Sequence, residues 1–280
     1  MALRGKKPEL TEKRLKALFF GEPGSGKTTA AIQFPRPYLI DTEKGAENEQ
    51  YVKRIRDVGG VVFQSNDFNE ITKEVTALLS EKHEYRTLII DPITTIYDDL
   101  VNKCEAKVGT DFGRHYGEAK KAWKRLNNLL LRLDMNVIVT SHQKNLYGDG
   151  MAVIGKTYDG PKGLDYMFDM VFEVQRRGKD RVGVVRKTRL EAFPEGETFP
   201  FSFDTIAEKY GRSVLERDAQ PVQLISPANV ARLRDLLDAR KDGADLLDKW
   251  LTKAQAEEIE ELPADVADKC IAFLNGKEAA

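Results

Sequence analysis

The stretch Leu15–Phe34, which reads LKALFFGEPGSGKTTAAIQF, decides the fold. Within it Gly21, Gly26, Lys27 and Thr28 complete the pattern G-x-x-x-x-G-K-[ST]. Glycines let backbone N–H groups curl around a polyphosphate, a lysine reaches its outer oxygens, and a hydroxyl holds Mg²⁺. The apolar run before the pattern suits a buried strand, and the residues after it suit a helix that a proline ends. The stretch therefore predicts a phosphate-binding loop between a strand and a helix, with a chance glycine-rich turn as the alternative.

The same pattern predicts ATP and Mg²⁺ as the cofactors. Lys27 is expected to act on the β- and γ-phosphates and to be catalytic, while Thr28 binds the metal ion. The run Thr87–Asp91 is apolar and ends in an acid, so Asp91 is the second expected metal-site residue. The predicted nucleotide-contacting residues are Gly21, Glu22, Pro23, Gly24, Ser25, Gly26, Lys27, Thr28 and Thr29.

Length and composition restrict the remaining possibilities. The chain has 280 residues and a net charge of −1, so a nucleic-acid surface would have to be a local patch. Cys104 and Cys270 stand far apart without a metal-binding spacing, which favours a reducing compartment and no metal beyond nucleotide-bound Mg²⁺. No apolar run approaches the length of a membrane span. We therefore expect a cytoplasmic protein without a membrane partner.

Two further apolar runs end in polar residues that suit catalysis. Pro37–Asp41 is followed closely by Glu43, and Asn136–Ser141 is followed by His142 and Gln143. In open α/β sheets the carboxyl ends of strands present functional groups. Glu43 is expected to activate the attacking water, and Gln143, ahead of His142, to sense the γ-phosphate. The alternatives are a surface acid in a polar loop and a hydrogen-bonded structural histidine.

Basic and aromatic residues alternate in two places, which suits single-stranded nucleic acid because cations meet phosphates and rings stack on bases. One is the region 101–125, where two helices are interrupted by GTDFGRHYG at 109–117. The other is 144–163, which is glycine-rich and predicts a long functional loop. The alternative for the first is a solvated helix face with core aromatics. The predicted DNA-binding residues are Lys107, Arg114, Tyr116, Lys144, Lys156 and Lys162.

The composition changes along the chain and suggests four segments. Residues 1–14 predict a basic arm, 15–217 an ATPase core, 218–225 a linker and 226–280 a small helical module. From 219 to the end there are 8 Lys and Arg against 12 Asp and Glu, a net charge of −4, with no strand pattern. Ser226 before Pro227 predicts a helix start, and Thr252-x-x-Gln255 predicts the cap of a later helix.

Taken in order, these motifs resemble the ATPase core of RecA/RadA-type recombinases over about residues 15–203. The residues that carry the resemblance are the phosphate-binding loop, Ile40-Asp41-Thr42-Glu43, Ile89-Ile90-Asp91, Ser141-His142-Gln143 and Val184-Val185-Arg186-Lys187-Thr188-Arg189. The short core with a helical tail is similar to the phage RecA-like single-strand-annealing ATPases. The resemblance implies an α/β P-loop NTPase fold, a mostly parallel central sheet and a small C-terminal helical module.

The resemblance also implies roles for particular residues. Glu43 would be the catalytic glutamate, and Gln143 would link the γ-phosphate to the DNA loop. Lys187 and Arg189 would act on the ATP of a neighbouring subunit, so the active form would be a homo-oligomeric ring or filament. The C-terminal module would dock another protein, such as a single-stranded-DNA-binding protein.

The function expected from the sequence is an ATP-dependent single-stranded-DNA-binding recombinase that promotes annealing or homologous recombination. Its Mg-dependent ATPase activity would be stimulated by DNA, and a phage-encoded chain would work in the host cytoplasm. Three alternatives stay open: a hexameric helicase-like replication ATPase, a nucleotide-switched DNA-binding accessory protein, and a small-molecule P-loop kinase.

Overall fold

The computed structural model describes residues 5, 7 and 12–276. Its centre is an eight-stranded sheet, whose middle strands are short apolar segments with side chains buried on both faces, as is typical of parallel sheets. The strands are β1 Lys16–Phe20, β2 Pro37–Asp41, β3 Val61–Gln64, β4 Thr87–Asp91, β5 Asn136–Ser141, β8 Met170–Arg177, β9 Asp180–Lys187 and β10 Thr198–Pro200. A separate antiparallel pair consists of β6 Gln143–Tyr147 and β7 Val153–Tyr158.

The strand order in the large sheet is β10-β9-β8-β1-β5-β4-β2-β3. The six strands from β8 to β3 are parallel, and β9 and β10 extend the sheet in antiparallel fashion. The phosphate-loop strand β1 is therefore central, with β5 between it and the acid-bearing strand β4. Because the strands are parallel, the ends of β1, β2, β4 and β5 meet at one edge of the sheet, which we call the carboxyl edge.

Helices cover both faces of this sheet. They are α1 Lys27–Ala31, α2 Glu49–Asp57, α3 Phe68–Ser80, α4 Ile93–Val108, α5 Arg114–Arg132, α6 Phe203–Tyr210 and α7 Arg212–Glu216. Alternate residues of β1 enter different cores, since Leu18 and Phe20 pack with α3, α4 and α5, whereas Ala17 and Phe19 pack with α1 and α6. The α/β fold with a mostly parallel central sheet, predicted from the sequence, is confirmed.

The C-terminal helices have a hydrophobic core of their own. α8 Pro227–Asp238, α9 Gly243–Ala254 and α10 Ala264–Leu274 pack around Leu233, Leu262 and Ala267. Ser226 caps α8 as predicted, because its Oγ accepts a hydrogen bond from the N–H of Asn229. The predicted cap at Thr252 is wrong: Thr252 lies in the last turn of α9, which ends where Gln255 adopts a left-handed conformation.

Arg14 and the predicted linker, on either side of the core, contact the core directly. Of the predicted basic arm 1–14, only residues 5, 7 and 12–14 are described, and the side chain of Arg14 is buried. Its guanidinium donates to the carbonyls of Val214, Arg217 and Asp218, at 2.6, 2.7 and 2.9 Å. In the predicted linker 218–225, the N–H of Val222 donates to Leu79 at 2.8 Å. These contacts fix Arg14 and Val222 on the core.

The prediction of a long loop at 144–163 is wrong for most of its length. Residues 143–158 form the β6–β7 hairpin, in which Gln143 pairs with Tyr158 and Asn145 with Lys156. The hairpin lacks the alternation of apolar and polar residues that marks a strand, because much of it is exposed on both sides. Only 159–163 remains irregular before a short 3₁₀ turn at Leu164–Met167.

Candidate nucleotide-binding site

The loop between β1 and α1 has the geometry that phosphate binding requires. Gly24 and Gly26 have φ angles of +74° and +100°, which side chains with a Cβ rarely adopt. A Cβ on Gly21 would lie 2.3 Å from the carbonyl oxygen of Val174. Since the first N–H groups of α1 have no acceptor within the helix, they remain available to an anion. All nine predicted nucleotide-contacting residues lie in this loop or the first turn of α1.

Lys27 folds back onto its own loop. Its Nζ donates hydrogen bonds to the carbonyl oxygens of Gly21 at 2.9 Å and Glu22 at 3.1 Å. Burial lowers the pKa of Lys27, and the nearby carboxylates of Asp91 and Glu43 act in the opposite direction. The ammonium group thus has carbonyl partners that phosphate oxygens can replace.

Asp91 is held at the base of the loop by two hydroxyl groups. Thr28 Oγ1 donates to its Oδ2 at 2.6 Å, and Thr140 Oγ1, from the end of β5, donates to its Oδ1. Burial raises the pKa of Asp91, and the hydrogen bonds from Thr140 and Thr28 act in the opposite direction. The two residues predicted to bind the metal ion are therefore in direct contact.

Glu43 lies on a turn that Asp41 organises. The Asp41 carboxylate accepts hydrogen bonds from the backbone N–H groups of Glu43, Gly45 and Ala46 at 3.3, 3.1 and 2.9 Å. The Glu43 carboxylate accepts from Thr95 Oγ1 at 3.1 Å and lies 3.4 Å from His142 Nε2. Its side chain is half-exposed, so a water molecule can reach it.

Gln143 connects the carboxyl edge to the hairpin. β5 ends at Ser141, and Gln143 is the first residue of β6. A cavity of about 450 Å³ borders the loop residues 22–25 and is also lined by Gln143 and by Lys156 from β7. The structure thus brings two residues of the hairpin, one predicted as a phosphate sensor and one as a DNA contact, next to the phosphate-binding loop.

Lys187 and Arg189 lie away from the loop of their own chain. Lys187 pairs with Val171, which pairs with Leu18 in β1. The loop starts three residues beyond Leu18, roughly 10 Å further along the strand direction. Lys187 Nζ donates to the carbonyl oxygens of Asp165 and Phe168, and Arg189 pairs with Asp169 at 2.9 Å. Both cations therefore lie together beside the 3₁₀ turn, on the far side of β8 from β1.

The predicted DNA-binding residues fall into two exposed groups. Lys107, Arg114 and Tyr116 surround the turn between α4 and α5, where Phe112 is completely exposed with φ +52°. Lys144 and Lys156 lie on the hairpin, and Lys162 follows it. The hairpin also exposes large apolar side chains: Leu146, Tyr147, Met151, Val153 and Ile154.

The second half of α5 has a different environment. Lys124 pairs with Glu257 at 2.8 Å, and Arg125 contacts Glu258 at 2.8 Å and Glu261 at 2.6 Å. The Glu261 side chain is only 3% exposed and also accepts from the N–H of Glu257 at 3.0 Å. Part of the basic stretch that suggested nucleic acid thus binds the acidic segment of the C-terminal module.

Three contributors to the site were not predicted. Thr140 holds Asp91, and Thr95 contacts Glu43; both follow from strand and helix positions once the sheet order is known. Arg181 of β9 packs on Gly26, where a Cβ would lie 2.0 Å from its Nε. No local pattern marks Arg181, because its proximity to the loop arises from the pairing of β8 with β1 and β9.

The residues present fit a magnesium–nucleotide complex. A threonine hydroxyl and a carboxylate are hard oxygen donors of the kind Mg²⁺ prefers, with water and phosphate oxygens completing its shell. Within residues 12–276, no cluster of three or more His, Cys, Asp or Glu residues forms a ready-made metal cage. Within the loop, Ser25 Oγ is buried without a hydrogen-bond partner in the described structure. When bound, Mg²⁺ would neutralise phosphate charge.

A central strand that leads into a phosphate-binding loop, with the acid predicted to bind the metal ion on a strand two positions away, defines a P-loop NTPase fold. Residues 13–199 match the model of the AAA domain family. Because this match covers well over half of the chain, the protein belongs to that family.

Among solved structures, the crystal structure of the RadB recombinase is similar, with 20% sequence identity and a TM-score of 0.46. The match covers 75% of this chain and 91% of that chain. No curated protein matches the sequence. In the part of the chain that the structure describes, no helix is both long and apolar enough to cross a bilayer.

Proposed function

We propose that this protein is an ATP-dependent single-stranded-DNA-binding recombinase that promotes annealing or homologous recombination. The observation that carries the proposal is the position of Gln143, which begins the exposed hairpin two residues after β5 ends. That same strand contributes Thr140, which holds Asp91. A change at the γ-phosphate therefore has a short covalent and hydrogen-bonded route to a surface suited to nucleic acid.

Each residue of the carboxyl edge has a role in this proposal. Lys27 exchanges its two carbonyl acceptors for oxygens of the β- and γ-phosphates, and Thr28 and Asp91 hold Mg²⁺. Glu43 orients the attacking water, supported by Thr95 and His142. Gln143 reports the presence of the γ-phosphate to the hairpin.

Lys187 and Arg189 complete the site from a neighbouring subunit in this proposal. Within one chain they are held beside the 3₁₀ turn at 164–167, away from the loop. A homo-oligomeric ring or filament that places this turn against the next subunit's loop would bring both cations to the transferred phosphate. Cations in such positions stabilise the charge of the transition state.

Single-stranded DNA would bind along the α4–α5 turn and the hairpin. Exposed lysines and arginines contact phosphates there, and Phe112, Tyr116 and Tyr147 are exposed enough to stack on bases. The proposal includes a DNA-stimulated, Mg-dependent activity and, for a phage-encoded chain, a role in the host cytoplasm. It also includes a protein partner for the C-terminal module, such as a single-stranded-DNA-binding protein.

The decisive experiment measures ATP hydrolysis with and without single-stranded DNA, with Mg²⁺ present or chelated. We expect stimulation by DNA, loss of turnover on chelation, and loss of the DNA stimulation in Gln143→Ala. Lys53→Ala, on the exposed face of α2, is the matched control. ATP hydrolysis that is unaffected by DNA but stimulated by a small metabolite would contradict the proposal and favour a small-molecule kinase. Unwinding of a forked duplex would favour the helicase alternative.

A further inference from the structure

The C-terminal module contains an apolar cleft that the ATPase site does not use. It has a volume of about 320 Å³ and lies between α9 and α10. Its lining from α9 is Trp250, Lys253 and Ala254, spaced by three and four residues on one helix face. Val266, Lys269, Cys270 and Phe273 line it from α10 at similar spacing.

The cleft ends in an aromatic pair that the module leaves partly uncovered. The rings of Trp250 and Phe273 are 6.0 Å apart and nearly perpendicular. Phe273 is 56% exposed, although it lies on the same apolar face of α10 as the buried Cys270. α8 packs against both α9 and α10, and the core formed there leaves the Phe273 side chain largely exposed. An exposed aromatic surface in a concave site is typical of peptide recognition.

The charges of the cleft select the partner. The module is acidic overall, yet the two charged residues that line the cleft, Lys253 and Lys269, are both basic. Lys269 pairs with Asp265 at 3.1 Å, and both side chains are 70% exposed. Exposed pairs of this kind contribute little, about 0–1 kcal/mol, so a ligand carboxylate can compete for Lys269.

We propose that this cleft binds a peptide segment of a partner protein in which a large apolar side chain is flanked by carboxylates. The apolar side chain packs between Trp250, Val266 and Phe273, and the carboxylates contact Lys253 and Lys269. The inference rests on the proposed function only for the idea that the module has a protein partner. The binding itself needs neither nucleotide nor DNA.

The test uses the full chain and a random twelve-residue peptide library displayed on phage. Selection is carried out without ATP and is followed by counter-selection on the double variant Lys253→Glu, Lys269→Glu. We expect enriched peptides to combine Asp or Glu with Phe, Trp or Leu. A synthetic, fluorescently labelled copy of the most enriched peptide then gives affinities by anisotropy.

Three variants make the result specific. Phe273→Ala and the double lysine variant should each weaken peptide binding at least tenfold, while Lys249→Glu, exposed on α9 but outside the cleft, should leave it unchanged. Thermal unfolding of each variant checks that it folds. Of the two tryptophans, Trp123 is 6% exposed in the core, so a change in fluorescence on binding reports on Trp250.

Enrichment of peptides without acidic residues, or binding that survives all cleft variants, would overturn the proposal. Concentration-dependent self-association that the same variants abolish, without peptide enrichment, would show that a second copy of this chain occupies the cleft and would equally overturn it. Failure of DNA-stimulated ATPase activity would leave a positive peptide result intact, so the two proposals fail separately.

Discussion

The two ends of β1 each lead to a lysine whose side-chain nitrogen donates to backbone carbonyls, but the two lysines differ in their surroundings. Lys16 begins the strand, is 6% exposed, and donates to Leu130, Leu133 and Met135 at 2.9 to 3.0 Å. Lys27 follows the other end and donates to two carbonyls of its own loop. Lys16 supplies a buried hydrogen-bond donor to carbonyls at the end of α5 and just after it, whereas Lys27 lies in the phosphate-binding loop. Hydrogen bonds of the same kind therefore stabilise the fold at one end of β1, whereas at the other end they hold a lysine in the loop until a phosphate replaces its carbonyl partners.

The largest effect is expected for Lys27→Ala. Removing a cation that acts on the transferred phosphate should reduce ATP turnover by about 1,000-fold, as the loss of a strong transition-state donor does. The free energy of unfolding should change little, because the carbonyls of Gly21 and Glu22 can bind water. Steady-state phosphate release and chemical denaturation measure the two quantities. A large loss of stability would mean that Lys27 resembles Lys16 after all.

A third lysine, Lys187, also donates to two carbonyls. The next test decides whether Lys187, like Lys27, takes part in ATP turnover. Arg189→Ala, and the double variant with Lys187→Ala, should reduce turnover by at least 100-fold while ATP binding persists. If these cations act between subunits, mixing Arg189→Ala with Lys27→Ala should restore part of the activity, because some interfaces then carry both intact halves. Each variant alone is the control. Mixtures as inactive as their components would contradict action in trans.

Lys16→Met should affect the fold and spare the site. Methionine fits the volume but leaves three carbonyls at the end of α5 without a donor, which should cost about 3 kcal/mol of unfolding free energy. Turnover per folded molecule should stay unchanged, as measured below the unfolding temperature. Lys53→Met on the exposed face of α2 should alter neither quantity.

Lys16 should also make the free energy of unfolding depend on pH, and Lys16→Met tests this. Burial lowers the pKa of Lys16 to about 7 from its ordinary value of 10.5. Between these values the unfolded chain binds the extra proton, so the stability of the folded protein should rise with pH from about 7 to 10.5. The slope is at most about 1.4 kcal/mol per pH unit. Denaturation at pH 7.5 and 9.5 is measured for the unchanged protein and for Lys16→Met, so that the contributions of the other titrating groups cancel in the difference. If the free energy of unfolding changes equally with pH in both proteins, Lys16 is not the origin of the dependence.

The smallest effect is expected on α5, where cations bind carboxylates. Arg125→Ala leaves the buried Glu261 without its strongest partner and should cost about 2 kcal/mol. It should not weaken DNA binding, whereas Arg114→Ala, at the exposed start of the same helix, should weaken DNA binding without loss of stability. Filter binding to single-stranded DNA and thermal unfolding separate the two. If only Arg125→Ala weakened DNA binding, the second half of α5 rather than its exposed start would be the DNA contact.

The sequence was sufficient where the pattern is local. The strands β2, β4 and β5 have the predicted bounds, because each is a continuous apolar run that ends at a polar residue. The loop, Asp91 and Glu43 fall at one edge because parallel strands place their ends together. The roles of these residues in catalysis remain predictions, as do the DNA contacts.

What the sequence could not provide depends on contacts between distant segments. The basic composition of α5 suggested a nucleic-acid surface, but Lys124 and Arg125 form ion pairs with Glu257, Glu258 and Glu261. Nothing within the sequence of α5 indicates this acidic partner. The burial of Arg14 depends on carbonyls about 200 residues away. The hairpin was missed because neither of its faces is consistently apolar.

The direct junction between β5 and β6 has a mechanical consequence. The hairpin is five to six residues long on each side and therefore extends roughly 17–20 Å from its base at Gln143. A rotation of about 10° at that base would move the tip by about 3 Å, close to the stacking distance between neighbouring bases. In the proposed function, a small movement at the base of the hairpin, beside the phosphates, would therefore shift the DNA-binding tip by about one nucleotide.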